Sequence, residues 1–407
     1  VSAARPIYLD YNATTPIDPE VFEAMEPYLR DHFGNASSGH AHGQEARRAI
    51  EAARAEVAAL ISAAPDEIYF TSGGTEASNL AIFGVASAAP WPAIGGMNPP
   101  AGAIAPLNAS GPRDGLVTSA IEHPATARPL EALAGRGYQL TRLPVDAGGR
   151  VTADAIDAAI SERTLLLSLI HANNETGVIQ PVEQAAARAR AVGALSHADA
   201  AQSAGKIEVS VERLGVDLLS IAGHKLYAPK GIGALYVRRG TQIRPVLLGA
   251  GHERGLRPGT ENVAGIVGLG RACALARARL AADGPALARR RDRLLTLLRQ
   301  GVERSDRAGG LVAHGETHPR LPNTLSLRFQ GILGPALLEA APELAASTGS
   351  ACHDGQTTAS AVIVAMGVAP ADALGTLRLT IGRPTTDEQI ELAAAALLAA
   401  REKLLSS

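Results

Sequence analysis

The sequence predicts an α/β protein, a mostly parallel sheet with helices on both faces, followed by a smaller α+β unit. Between residues 67 and 237, short apolar runs alternate with Ala/Leu/Arg-rich helical stretches, the spacing of strand-helix-strand units. From about Gly255 long helices take over, followed by strand, helix, strand and a terminal helix. At 407 residues the chain is long enough for two domains, because one hydrophobic core rarely grows beyond about 250–300 residues. The expected division is 15–254 for the large unit and 1–14 with 255–407 for the small one.

The elements follow in order. Ile7-Tyr8-Leu9-Asp10-Tyr11 reads as a short strand stopped by Asn12-Ala13-Thr14-Thr15-Pro16. Apolar periodicity predicts helices over Pro19–Leu29 and Gln44–Ile61. Strand Glu67–Phe70 runs into Thr71-Ser72-Gly73-Gly74-Thr75-Glu76 and a helix through Ala86. Residues 89–114, rich in Pro and Gly, form a surface loop. Strand Leu116–Ile121 delivers Glu122-His123-Pro124, and strand Leu165–Ile170 ends in His171-Ala172-Asn173-Asn174. Another short strand ends at Asp199, the run Asp217–Ala222 ends in Gly223-His224-Lys225, and Gly231–Val237 looks like a closing antiparallel strand. In the second unit, helices are predicted over Val263–Ala282 and Pro285–Ser305, strands over Thr324–Phe329 and Thr376–Ile381, and a last helix over Thr386–Leu405.

Composition removes several function classes. Net charge is −2, charged residues make up 19% and hydrophobic residues 46%, so the chain is globular and has no basic surface suited to nucleic acid or a membrane face. No apolar run is long enough to span a bilayer and the first residues lack a signal-peptide core. A cytoplasmic protein is expected. Two cysteines, Cys273 and Cys352, make no disulfide framework, and no tight Cys/His spacing marks a metal site.

The candidate chemistry sits at strand ends, where ligands gather in open α/β sheets. Lysine is nearly absent, with only Lys206, Lys225, Lys230 and Lys403 against 34 arginines. Lys225, at the end of an apolar run, would be partly desolvated, which favours the neutral nucleophilic amine of a Schiff-base lysine. Asp199, 26 positions earlier, can ion-pair with a pyridinium nitrogen. Lysine and carboxylate together point to pyridoxal phosphate (PLP); a solvated lysine beside a surface turn is the plainer alternative. Gly74 and Thr75 open a helix after a glycine turn, an anion site for phosphate or an ordinary turn. His123 can stack on a ring and pass protons, or simply make structural hydrogen bonds. The amides at Asn173-Asn174 can donate to a ring oxygen or stabilise their own turn. Arg378, on a strand, can grip a substrate carboxylate with two N–H groups. Cys273 reads as a small buried hydrophobe, whereas Cys352 lies in a small-residue loop, Ser347–Gly355, before a helix over Ala359–Met366. There His353 and the helix start could hold a thiolate, or the thiol is incidental.

Taken in order from Tyr8-Leu9-Asp10-Tyr11-Asn12-Ala13-Thr14-Thr15-Pro16 to Arg378, these motifs resemble the class V aminotransferase-like PLP enzymes, and within them the cysteine desulfurases related to NifS and IscS. The resemblance implies the aspartate aminotransferase-like fold with a seven-stranded-type sheet. It implies that Lys225 carries the cofactor, Asp199 pairs with its ring nitrogen and His123 stacks on it. Gln202 and Asn174 would contact the ring-oxygen side. Thr75 and His224 would hold the phosphate, with Thr260 of Arg257-Pro258-Gly259-Thr260-Glu261-Asn262 reaching across a homodimer. Arg378 matches the substrate-carboxylate arginine and Cys352 the sulfur-accepting cysteine. Sulfur would pass from L-cysteine to Cys352 as a persulfide, leaving L-alanine, and then to an acceptor or scaffold protein for iron-sulfur cluster or other thio-cofactor synthesis.

Ala222 departs from the family pattern, which places a phosphate-binding serine there. The stretches Ala351-Cys352-His353 and Ala222-Gly223-His224-Lys225 are also similar to selenocysteine lyases, so release of selenium from selenocysteine is an alternative. A catalytically silent scaffold in a sulfur-transfer assembly is the third.

Overall fold

In the computed structural model, residues 5–88, 113–305, 309–348, 351–353 and 356–406 are described, with backbone alone for 351–353, 356 and 357. Most of the expected 89–114 loop and the side chains of Cys352 and His353 therefore lie outside the described residues. Seven strands form the central sheet, in the order Ile68–Thr71, Gly233–Val237, Leu218–Ala222, Leu195–Asp199, Thr164–Ile170, Gly115–Ser119 and Gln139–Leu143. The last five run parallel. Gly233–Val237 is antiparallel to both its neighbours. It does not close the sheet as expected, because Ile68–Thr71 pairs beyond it and forms the edge.

Both faces of this sheet are buried, which is why its strands read as continuous apolar runs rather than alternating ones. Leu116, Leu166 and Leu218 pack against the helix Gly74–Ala88 side, in a cluster with Leu80, Ala81 and Val85. Val117, Leu167 and Leu219, one residue on, point the other way and pack with Val57, Ile61 and Ile266.

The second sheet is antiparallel, in the order Ser347–Thr348, Thr376–Thr380, Thr324–Phe329 and Leu311–His314. Its core joins Leu325, Leu327, Leu377 and Leu379 to Leu397 of the helix Asp387–Ser406 and to Leu9 of the N-terminal segment. Of the expected strand 7–11, only Ile7–Tyr8 is extended in a ladder, parallel to Leu344–Ala345.

Two predicted helices are one. Val263–Glu303 runs for 41 residues with Pro285 inside it, although proline has no N–H to bond the carbonyl four residues back. Packing on both sides of the proline outweighs that loss. Leu269, Cys273 and Ala276 lie in the core of the large sheet, while Leu287, Leu294 and Leu298 lie in the core of the small one. Side chains of the second unit's expected start therefore pack on the first.

Candidate active site

The carboxyl ends of the parallel strands converge on one cavity of about 420 Å³. Gly74, Thr75, His123, Asn174, Asp199, Gln202, His224, Lys225 and Arg378 all line it, with Asn12, Ala13 and Ala222. They come from parts of the chain more than 300 residues apart, and sheet topology brings them together. Thr260 is exposed and does not line this cavity. Arg257, in the same loop, pairs with Glu76 at 2.8 Å and so ties the loop to the helix that Gly74 opens.

Lys225 sits in a helical turn just beyond the strand rather than at its last residue. Its Nζ donates to the backbone oxygens of Asn12 at 2.5 Å and Ala13 at 2.8 Å. Burial, reinforced by the positive charge of Arg378, brings its pKa down to about 8, so about a tenth of it is the free amine at pH 7, against well under a thousandth for an ordinary lysine. Asp199 Oδ1 accepts from the N–H of Ala201 at 2.9 Å, and burial raises its pKa.

His123 caps the helix Pro124–Ala134, an element absent from the sequence-based expectation. Its Nδ1 accepts from the N–H of Ala125 at 3.1 Å, and burial lowers its pKa. A neutral His123 therefore carries its proton on Nε2. Burial and then Lys225 hold His224 at about 4, so it too is neutral.

Arg378 is held in place. One Nη2 donates to Asp10 at 2.8 Å, and Nη1 to the backbone oxygen of Asn174 at 3.2 Å. Gln202 has both ends of its carboxamide engaged. Nε2 donates to the backbone oxygen of Asn12 at 3.0 Å, and Oε1 accepts from Lys206 at 2.7 Å.

Sequence reasoning missed the centre of this network. Asn12 is 1% exposed. Its side chain donates to Thr324 and to the backbone of Asn174, and accepts from Lys206 and Asn323. No local signal marks it, since its partners lie 162–312 positions away. Glu122 was missed too. Burial pushes its carboxyl up to about 8, and its Oε1 accepts from Ser119 and from the N–H of Ile170 at 2.9 Å. For Lys206 a signal existed, the scarcity of lysine.

These donors fit PLP. A 15-residue helix begins at Gly74 and presents free N–H groups to an anion. Gly74 must stay small, because a Cβ there would lie 3.0 Å from that of Ala222. A buried carboxylate at Asp199 suits a pyridinium, and an amine titrating near 8 suits an aldehyde. Among the described residues, no group of three or more His, Cys, Asp or Glu side chains could hold a metal ion. No helix there is long and apolar enough to cross a membrane.

Comparison with known proteins points to the same cofactor class. The Aminotransferase class-V family model matches residues 7–92 and 101–392. Cysteine desulfurase IscS of Anaeromyxobacter sp. (strain Fw109-5) is 42% identical, covering 95% of this chain and 90% of its own. The cysteine desulfurase IscS of Dictyoglomus turgidum is 41% identical over 95% of this chain and 92% of its own. Among solved structures, a NifS-like protein superposes with a TM-score of 0.85 at 33% identity, covering 98% of this chain and 100% of its own. A structure described as SspA in complex with cysteine has a TM-score of 0.75 at 31% identity, covering 92% and 98%. With the fold, the cavity and these relatives in agreement, the chain belongs to the class-V aminotransferase family of PLP-dependent enzymes, on the cysteine desulfurase branch.

Proposed function

We propose that this protein is a PLP-dependent cysteine desulfurase that takes sulfur from L-cysteine, leaves L-alanine and carries the sulfur on Cys352 as a persulfide. The observation that carries the reading is that one cavity gathers an amine of lowered pKa, a buried carboxylate, a helix N-terminus and an arginine. When bound, PLP draws electrons from the substrate's α-carbon into its ring. Gly74, Thr75 and His224 would hold its phosphate, Asp199 would pair with its ring nitrogen, and His123 would lie against its ring.

Arg378, steadied by Asp10 and Asn174, orients the substrate through its carboxylate. Lys225, in its free-amine form, removes the α-proton. His123, neutral with its proton on Nε2, donates that proton to the substrate sulfur, which keeps it in the thiol form that a thiolate can attack. The Cys352 thiolate attacks that sulfur. An S–S bond forms as the C–S bond breaks, and the released electron pair ends, with a proton, on the methyl carbon of alanine.

The protein acts as a cytoplasmic homodimer in which Thr260 completes the neighbouring site. An acceptor or scaffold protein then takes the sulfur for iron-sulfur cluster or other thio-cofactor synthesis. Its two domains are 15–254 and 1–14 with 255–407, the first half of the long helix packing on the larger one.

The test is Cys352→Ala. PLP absorbance should survive while sulfide production from L-cysteine stops. Sulfide release at the parent rate would show that the nucleophile is misassigned.

A further inference from the structure

Lys206 is one of four lysines in the chain, and the mechanism above gives it no task. It follows the strand that ends at Asp199, in a turn fixed by Gly205. That residue has φ +74°, and a Cβ there would lie 2.3 Å from the side chain of Leu226. The turn therefore packs directly against the residue after Lys225. Lys206 Nζ donates to Gln202 Oε1 at 2.7 Å and to Asn12 Oδ1 at 3.1 Å. Both partners are neutral amides, and the charges of Lys225 and Arg378 that act on Lys206 are both positive. Placing an amine in such surroundings is unfavourable, so its geometry needs a reason.

Gln202 supplies one. A lysine amine next to an amide acts as donor, so the Gln202 atom facing Lys206 is the oxygen. At the other end, Nε2 faces the backbone oxygen of Asn12, which can only accept. The two neighbours impose one orientation on the carboxamide, and the second N–H of Nε2 remains for the cavity that Gln202 lines. We propose that Lys206 is a positioning residue that locks Gln202 as a hydrogen-bond donor toward the ring oxygen of PLP. Without Lys206, Oε1 becomes a buried acceptor with no partner, and the amide can rotate to find one.

The proposal rests on the PLP reading above, and its test separates the two. The PLP-loaded parent, Lys206→Met, Lys206→Arg, Gln202→Leu and the Lys206→Met/Gln202→Leu double variant are titrated without substrate. The pH midpoint of the visible absorbance is read for each. A donor on the ring oxygen withdraws electron density and lowers the proton affinity of the conjugated system. Lys206→Met and Gln202→Leu should each raise the midpoint by about 0.5–1 pH unit, the effect of one hydrogen bond. Lys206→Arg, which still donates, should titrate like the parent, and the double variant no higher than Gln202→Leu. A parent-like midpoint in Lys206→Met overturns the proposal. So does a Lys206→Met shift that persists undiminished in the Gln202→Leu background. Should Lys206→Met fail to fold, Lys206→Gln decides the matter, since its amide can donate. A parent-like midpoint supports the proposal and one raised as far as in Gln202→Leu overturns it. A parent protein that takes up no PLP sinks the cofactor reading itself, and this proposal with it.

Discussion

Lys225 and Gln202, which follow strands of the large sheet, donate to Asn12, and Asn12 donates in turn to Thr324 of the second sheet. Among the described strands, Ala351–His353, which carries Cys352, instead forms a ladder with Gln356–Thr358, in a two-stranded ribbon outside both larger sheets. A two-stranded hairpin has little stability of its own, whereas the cavity wall is part of a packed core. The contrast suits the proposed chemistry. An amine that moves a proton needs a fixed place, and a sulfur carrier must serve both the cavity and an acceptor.

The wall should be the less forgiving region. Replacing Lys225 with Ala should abolish the visible absorbance of bound PLP and cut cysteine turnover by about a thousandfold or more. Cys352→Ala, by contrast, should leave PLP binding intact. Loss of absorbance in both would erase the distinction between wall and ribbon. A smaller effect is expected for Arg378→Met, which removes a charge-assisted contact to the substrate carboxylate. KM for L-cysteine should rise about 10- to 100-fold, matching about 1.5–3 kcal/mol. An unchanged KM would mean that Arg378 serves only to tie Asp10, Asn174 and Ser347 together.

Milder still is the pH dependence of PLP uptake by the cofactor-free protein. Only the free amine attacks the aldehyde, so the uptake rate should climb with pH and level off near 8, where Lys225 titrates, and not near its ordinary value of 10.5. Arg378→Met should move that plateau upward, because Arg378 helps to depress the lysine.

Glu122→Gln should give the smallest change. Burial raises the Glu122 pKa from 4.5 to about 8, so the stability its neutral form contributes is present below pH 4.5 and lost as pH rises through 8. Glutamine stays neutral throughout. The difference in Tm between variant and parent should therefore shift in the variant's favour from pH 5 to 8. A constant difference would mean that Glu122 is ionised across that range.

Much of the wall was legible in the sequence because its signals are local. The strands before Asn174, Asp199 and Lys225 are apolar runs bounded by turns, and a strand end in a parallel sheet is already a ligand position. Lys225 stood out through the rarity of lysine. Asn12 did not, because its importance lies in partners hundreds of residues away. The break expected at Pro285 failed for a related reason, since the two cores that hold the helix Val263–Glu303 together are assembled from distant segments. The extended pair around Cys352 escaped notice because its residues are small and polar, without the alternation that marks a half-buried strand.

The joint action of wall and ribbon is tested most directly by locating the sulfur. The PLP-loaded protein is given L-cysteine without any acceptor, and its peptides are weighed by mass spectrometry. One added sulfur atom should appear on the peptide containing Cys352. None should appear on that containing Cys273, which is buried and whose thiol is held protonated by burial. Alanine formed with no added sulfur on Cys352 would contradict the account.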